Sequence, residues 1–154
     1  MQRVVDKLIE SGKTIATMES CTGGGVANAI TNIEGVSAAI KFSAVTYSNE
    51  FKIKMGVSEE VIEEYSVYSL ETAHEMSRNI AEFAGSDYGV GITGKLNRVD
   101  KNNLYGDNST VYISVYDVEN NRYYSEEVKA VRETRKDNKE LVIEAVINLL
   151  LEIL

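Results

Sequence analysis

Ser20 stands where the segment Thr14 to Met18 gives way to Glu19-Ser20-Cys21-Thr22-Gly23-Gly24-Gly25, after which Val26, Ala27 and Ile30 take up helical spacing. A serine between a strand end and a glycine-rich helix start can present its hydroxyl to a ligand while nearby backbone N–H groups face a developing oxyanion. A plain helix cap is the commoner role of a serine so placed. A second polar segment, Tyr47-Ser48-Asn49-Glu50-Phe51-Lys52, also follows an apolar strand candidate and brings a phenol, an amide and an amine to one strand terminus. A lysine buried there would be a usable base, because desolvation lowers its pKa. The ordinary fates of these residue types are a half-buried anchor for Tyr47 and a solvated helix charge for Lys52. Cys21 is intrinsically the stronger nucleophile. Adjacent side chains at a strand end point in different directions, so only one of Ser20 and Cys21 faces a common site, and a small packed residue is the alternative for Cys21. His74 lies inside an amphipathic helix with no carboxylate paired to it in sequence, and reads as structural.

These groups need a scaffold that gathers strand ends. The spacing of Val4, Val5, Leu8 and Ile9 predicts a first helix ending near Gly12. Strands are predicted over Thr14 to Met18, Ala39 to Thr46 and Tyr88 to Thr93, the last nearly all apolar apart from its glycines, as suits a strand covered on both faces. Between them lie a turn and short helix over Tyr47 to Lys54, a Ser-capped helix over Ser58 to Glu64, and a longer one opening at Ser69 and running through Phe83. Val111 to Val115 and Arg122 to Val131, joined through Asn120-Asn121, predict an antiparallel hairpin, and Asp137 to Leu154 a final helix. Alternation of helix and strand predicts a three-layer α/β/α sandwich with a mostly parallel central sheet and that antiparallel hairpin. In such a sheet the carboxyl ends of parallel strands share one edge, where Ser20, Tyr47 and Lys52 could converge.

The 154 residues fit one domain, 1–154, and their 44% hydrophobic and 26% charged composition is that of a folding chain. A net charge of -8 disfavours a nucleic-acid partner and requires that any anionic ligand find a local basic pocket. One cysteine and one histidine supply neither a disulfide nor a metal set, a pattern that predicts a cytoplasmic protein with no metal site. Met1 to Ile9 is charged and Ala145 to Leu154 is a short apolar run carrying Glu152, so neither a signal peptide nor a membrane span is expected. No linker, repeat or low-complexity segment interrupts the chain, and it holds no proline. The apolar hairpin and last helix offer more hydrophobic surface than a small sheet covers, which predicts a homodimer or higher homo-oligomer.

Taken together the motifs are familiar. Ala16-Thr17-Met18-Glu19-Ser20-Cys21-Thr22-Gly23-Gly24, then Val45-Thr46-Tyr47-Ser48-Asn49 with Lys52 and Gly56-Val57, resembles the signature of the CinA C-terminal domain family. The resemblance continues through Val67 and Ser69, Gly91-Ile92-Thr93-Gly94 and Val111-Tyr112-Ile113, covering essentially the whole chain. It implies hydrolysis of the carboxamide of nicotinamide mononucleotide to nicotinic acid mononucleotide and ammonia, with a small pyridine nucleotide as partner and no metal or cofactor. It further implies Ser20 as nucleophile, Lys52 as the base that takes its proton, Tyr47 as the group that orients or relays it, and an acyl-enzyme that water resolves. The stretch Thr22, Gly23 and Gly24 would hold the oxyanion or the substrate phosphate, with Asn49, Thr93, Gly94 and Arg135 completing the substrate set. Family members form dimers or larger assemblies, and many carry a separate N-terminal nucleotide-processing domain, so the resemblance leaves this chain as a single-function module.

Two departures stand out. After Gly94 the family carries a glycine- and proline-rich loop, whereas here the chain reads Lys95-Leu96-Asn97-Arg98-Val99-Asp100-Lys101-Asn102-Asn103. Without glycine the loop is expected to lose positive-φ freedom and close approach to a ligand, and a solvated surface loop is the favoured expectation over one that binds an anion. Before the last helix a Gly-Asp-Arg element is replaced by Glu133-Thr134-Arg135, where Arg135 could contact a phosphate bidentately and the nearby Arg132 competes for that role. The rewritten loop also admits an alternative, a catalytically silent or substrate-shifted paralogue that binds a nucleotide or a partner protein.

Overall fold

The computed structural model describes residues 1–154. Five strands, β1 (Ile15–Glu19), β2 (Ile40–Val45), β3 (Tyr88–Gly94), β4 (Thr110–Asp117) and β5 (Arg122–Lys129), form one sheet in the order β2-β1-β3-β4-β5. β1 runs parallel to both β2 and β3, and β3-β4 and β4-β5 are antiparallel. The parallel half is the expected one, and the hairpin extends it on one side only.

Helices cover both faces. On one side α1 (Gln2–Ser11), α2 (Gly25–Thr31) and α6 (Arg135–Ile153) enclose a core of Val4, Leu8, Ile30, Val142, Val146 and Leu150 against Ile15, Ile92 and Ile113. On the other, α4 (Glu59–Tyr65) and α5 (Leu70–Ala84) pack Met76 and Ile80 over Ala16 and Met18. The short α3 (Asn49–Lys54) follows β2. Ser48, Ser58, Ser69 and Thr134 cap α3, α4, α5 and α6, each accepting a hydrogen bond from the backbone N–H three residues on. The Thr134 cap starts α6 two residues before the predicted Asp137, and so places Arg135 in its first turn.

All five residues of β1 are buried, as a strand flanked on both edges and covered on both faces must be. β5 closes the opposite edge with Arg122, Glu126, Glu127 and Lys129, charges that discourage further strand pairing. The hairpin turn is held by Asp117, which accepts from the N–H and the Nδ2 of Asn120 at 3.2 and 2.7 Å, and Asn121 takes the left-handed φ of 47° that a tight turn requires.

The glycines of β3 have a packing reason. A Cβ on Gly91 would lie 2.3 Å from the Ala73 carbonyl oxygen and 2.6 Å from the Ser77 nitrogen, so α5 rests its backbone directly on the strand. Ser77 and Ser114 hydroxyls, 2.9 Å apart, tie the same helix to β4. Because α5 has no room to retreat without opening the second core, Gly91→Ala is expected to destabilise the protein by about 3 kcal/mol or more, read as a fall in the midpoint of thermal or urea unfolding.

Candidate active site

The parallel register brings Glu19 level with Val45 of β2 and Ile92 of β3, so the three chains leave the sheet together on one edge. From β1 comes Ser20, from β2 Thr46 and Tyr47, and from β3 Gly94 and Lys95. Glu19 sets the turn that carries Ser20. Its carboxylate, fully buried, accepts from the hydroxyls of Thr22 at 2.6 Å and Thr17 at 3.2 Å and from the N–H groups of Val26 and Ala27 at 3.0 and 2.8 Å. It therefore neutralises the first turn of α2 from below, while Gly23 and Gly24, at φ 63° and 88°, let the chain double back. The N–H groups of Cys21, Thr22 and Gly24 in this turn have no acceptor within the protein.

Lys52 reaches into the same place from α3. Only 1% of it is exposed, and its Nζ lies 3.1 Å from Ser20 Oγ and donates to the Thr46 carbonyl at 2.8 Å. No carboxylate pairs with it at ion-pair distance. Burial consequently pulls its pKa from 10.5 down to about 8, against smaller upward pushes from Cys21 and Asp100. The lysine is thus a buried amine and not a solvated helix charge. Ser20 is itself buried, and its hydroxyl meets the amine instead of capping α2, a role left to Glu19.

Cys21 borders the same cavity, but burial pushes its thiol up to about 12, so it stays protonated at neutral pH and is a poor nucleophile. His74 stacks on Tyr123 with ring centroids 4.4 Å apart and shares a 2.8 Å hydrogen bond with Ser125, on the α5–β5 side of the sheet and outside the site. No group of three His, Cys, Asp or Glu residues that could hold a metal ion is present, and no helix is long and apolar enough to cross a membrane.

The pair opens on a cavity of about 480 Å³ lined by residues that include Ser20, Tyr47, Asn49, Tyr68, Gly94 and Arg135. Of the residues singled out in the sequence, Thr22, Gly23, Gly24 and Thr93 do not line it, nor does Lys52, which lies buried behind Ser20. The Thr22 hydroxyl is spent on Glu19 and that of Thr93 on the Val67 carbonyl, at 2.8 Å. Tyr47 is 63% exposed at the rim, where its hydroxyl accepts from Arg135 Nη2 at 2.9 Å and makes no hydrogen bond to Ser20 or Lys52. The choice between two arginines is thereby decided: Arg135 faces the cavity, whereas the Arg132 backbone is pinned by Asn138 and its side chain lies elsewhere.

The loop after β3 is largely exposed, as its composition suggested, yet it also walls the cavity. Lys95, Arg98, Val99, Asp100, Asn102 and Asn103 all line the cavity. Positive φ is also retained without glycine. Leu96 and Asn97 adopt 51° and 58°, a conformation costing about 1 kcal/mol or more for leucine. It is held because the Leu96 side chain is 1% exposed in the main core and the Asn97 N–H donates to Asn108 O at 2.7 Å. Tyr68, Lys95 and Asp100 were missed in the sequence because nothing local marks them. Tyr68 donates a short hydrogen bond to Asp100 across 32 positions, a pairing that only the fold creates.

The matching of these motifs to known proteins is extensive. A sequence model described as the CinA C-terminal domain covers residues 1–154. The chain belongs to the CinA C-terminal domain family. Among relatives, a CinA-like protein of Kosmotoga olearia is 48% identical over 92 residues, 59% of this chain and 22% of that protein, and one of Endomicrobium trichonymphae is 47% identical over 88 residues, 56% and 21% respectively. The chain thus spans about a fifth of the length of the curated relatives it matches. The crystal structure of a CinA superfamily protein from Escherichia coli superposes with TM-score 0.89 at 25% identity, over 99% of this chain and 87% of that one. The competence/damage inducible protein CihA from Agrobacterium tumefaciens gives 0.82 at 26% identity, over 96% and 92%. The mixed sheet with helices on both faces is the fold of these CinA proteins.

One measurement follows from Lys52 and one from Cys21. Below pH 8 the amine is charged in both the folded chain and, with its ordinary pKa of 10.5, the unfolded one, so the whole desolvation cost of ~3 kcal/mol is borne by the fold. It is relieved only as pH rises from 8 towards 10.5, where the folded state releases the proton first. Lys52→Met is therefore expected to raise unfolding stability at pH 7 by about 1–3 kcal/mol, a gain that shrinks towards pH 10 in urea titrations. If the cavity hydrolyses an amide through Ser20, Cys21→Ala is expected to leave that activity within about threefold of wild type, because burial keeps the thiol protonated.

Proposed function

We propose that this chain hydrolyses the carboxamide of nicotinamide mononucleotide to nicotinic acid mononucleotide and ammonia through a serine acyl-enzyme. The observation that carries the reading is Ser20, backed at 3.1 Å by the buried Lys52, opening on a cavity whose lining includes Arg98 and Arg135. Neutral Lys52 accepts the Ser20 proton as Oγ attacks the carboxamide carbon, while one N–H goes on donating to the Thr46 carbonyl and keeps the lone pair aimed. Lys52 then passes that proton to the leaving nitrogen, the C–N bond breaks, and ammonia departs. Water next gives a proton to Lys52 and attacks the ester. Collapse of that intermediate returns the proton to Ser20 Oγ and releases the acid.

The N–H of Cys21, next in sequence after the nucleophile and without a backbone acceptor, is the donor we assign to the oxyanion. Arg135, oriented by the Tyr47 hydroxyl, suits a phosphate at the cavity mouth, and it gives a chain of net charge -8 the local positive site an anionic substrate needs. In this scheme Tyr47 acts through Arg135 on substrate placement, and no cofactor or metal takes part.

Ammonia release from nicotinamide mononucleotide by folded wild type is the deciding assay. Ser20→Ala is expected to abolish it. Arg135→Gln is expected to raise KM by about 10- to 100-fold with a smaller change in kcat, the worth of a charge-assisted hydrogen bond. Because the base is neutral only above its pKa, kcat/KM is expected to rise about tenfold per pH unit up to pH 8 and then level off. Folded wild type that binds the nucleotide without releasing ammonia would replace this reading by the substrate-shifted or silent paralogue.

A further inference from the structure

One buried side-chain polar atom in the protein has no hydrogen-bond partner, and it lies at the candidate site. It is Thr46 Oγ1, on a residue only 2% exposed. A buried hydroxyl left so costs stability, and an exception of this kind calls for a role. The backbone of Thr46 is fully used. Its N–H donates to the Glu19 carbonyl at 2.8 Å, one step past the paired strands, and its carbonyl accepts from Lys52 Nζ at 2.8 Å. Since Glu19 pairs with Val45, Ser20 and Thr46 are the next two residues side by side. Glu19 binds the first turn of α2, and Val45 Cγ2 lies 3.5 Å from where a Cβ on Gly24 would stand, so both face α2. Alternation turns Ser20 and Thr46 to the opposite face, where Lys52 meets them. Lys52 has a matching shortfall. An ammonium carries three N–H groups, and Nζ meets two acceptors, Ser20 Oγ and the Thr46 carbonyl. A free hydroxyl and a spare position on the amine thus flank the nucleophile together.

The two halves of a serine hydrolysis make unequal demands on this pair. In acylation the nucleophile is Ser20, already placed by its covalent bonds and by the 3.1 Å contact with Nζ. In deacylation it is water, which no bond holds, and a water aimed by one hydrogen bond to an amine still swings about it. A second hydrogen bond fixes it. We propose that Thr46 aims the hydrolytic water, its hydroxyl accepting one hydrogen of that water while the Lys52 lone pair takes the other. The water oxygen forms the new C–O bond as its proton goes to Lys52. The bond from the acyl carbon to Ser20 Oγ then breaks, and the proton passes from Lys52 to that oxygen. Thr46 keeps its own proton throughout. This rests on the serine acyl-enzyme of the proposed reaction, and not on which substrate forms it.

The test uses p-nitrophenyl acetate, an activated ester whose acylation is fast, so that deacylation limits turnover. Wild type is compared with Thr46→Val, which keeps the side-chain shape and the backbone carbonyl and removes only the hydroxyl, and Ser20→Ala gives the background. Thr46→Val is expected to release nitrophenolate in a burst of about one per chain, followed by steady turnover roughly 10- to 100-fold slower than wild type. Its kcat/KM, which reports acylation, is expected to stay within about threefold. The acetylated chain is expected to accumulate in intact mass spectra of Thr46→Val and to be absent from Ser20→Ala. Thr46→Ser, which restores a hydroxyl, is expected to bring turnover back to within about threefold of wild type. Thermal unfolding separates this from a structural role, since losing an unpartnered buried hydroxyl is expected to leave the midpoint of Thr46→Val at or above that of wild type. Unchanged turnover in Thr46→Val, a fall shared equally by kcat and kcat/KM, a Thr46→Ser that behaves as Thr46→Val, a lowered midpoint, or a wild type without Ser20-dependent ester turnover would overturn the proposal. Slowed deacylation in Thr46→Val beside a wild type that releases no ammonia from nicotinamide mononucleotide would fell the proposed substrate and leave the role of Thr46 standing; ammonia release with no such slowing would do the reverse.

Discussion

An ammonium group held out of water with no carboxylate beside it is the constraint around which this molecule is arranged. Lys52 is buried against Ser20 and a single backbone carbonyl, and every neighbouring element serves to keep it there. Ser48 caps α3 so that its second turn presents the side chain inward. The Thr46 carbonyl is available because the chain leaves β2 at that residue, and the Thr46 hydroxyl is left as a buried polar atom without a partner. Such an arrangement costs stability and gains reactivity, since an amine with its pKa drawn down to about 8 accepts a proton near neutral pH as an ordinary surface lysine does not. In the proposed reaction the hydroxyl 3.1 Å away is the nucleophile, with no histidine required.

The opposite charge problem is solved differently on the neighbouring strand end. Glu19 is as deeply buried as Lys52, yet its carboxylate receives two hydroxyls and two helix N–H groups and needs no cation. The two residues divide the work of the β1 terminus. Glu19 fixes the backbone turn from the helix side, and Lys52 meets the hydroxyl that the turn presents. Placing the carboxylate among neutral donors also keeps it from pairing with Lys52, which would hold that amine protonated.

The loop from Lys95 to Asn108 repeats this economy in the cavity wall. The Lys95 ammonium is satisfied by carbonyl oxygens and the Asp100 carboxylate by a phenol and amides, so neither neutralises the other. Leu96 anchors it through the core in a backbone conformation leucine rarely adopts, and this explains how a glycine-free loop still turns sharply after β3. The loop lies over the carboxyl ends of the parallel strands, where open α/β sheets present their ligands.

Much of this was legible in the sequence. Caps at Ser58 and Ser69 and the apolar strands each rest on local chemistry: a cap binds an amide three residues away, and a strand's burial shows in a short run of apolar residues. Serine at one strand end and lysine after another could be read as a candidate pair because parallel strands must bring their ends together. Whether the two met was a tertiary matter, decided by α3 carrying Lys52 inward over Thr46. The same holds for Arg135 over Arg132, set by where Thr134 starts α6, and for the 32-residue pairing of Tyr68 with Asp100. Local propensity acts over a few residues and is written in order along the chain. Burial, and with it the pKa of a lysine or the company of a carboxylate, depends on distant segments closing over one point, and only the folded chain decides that.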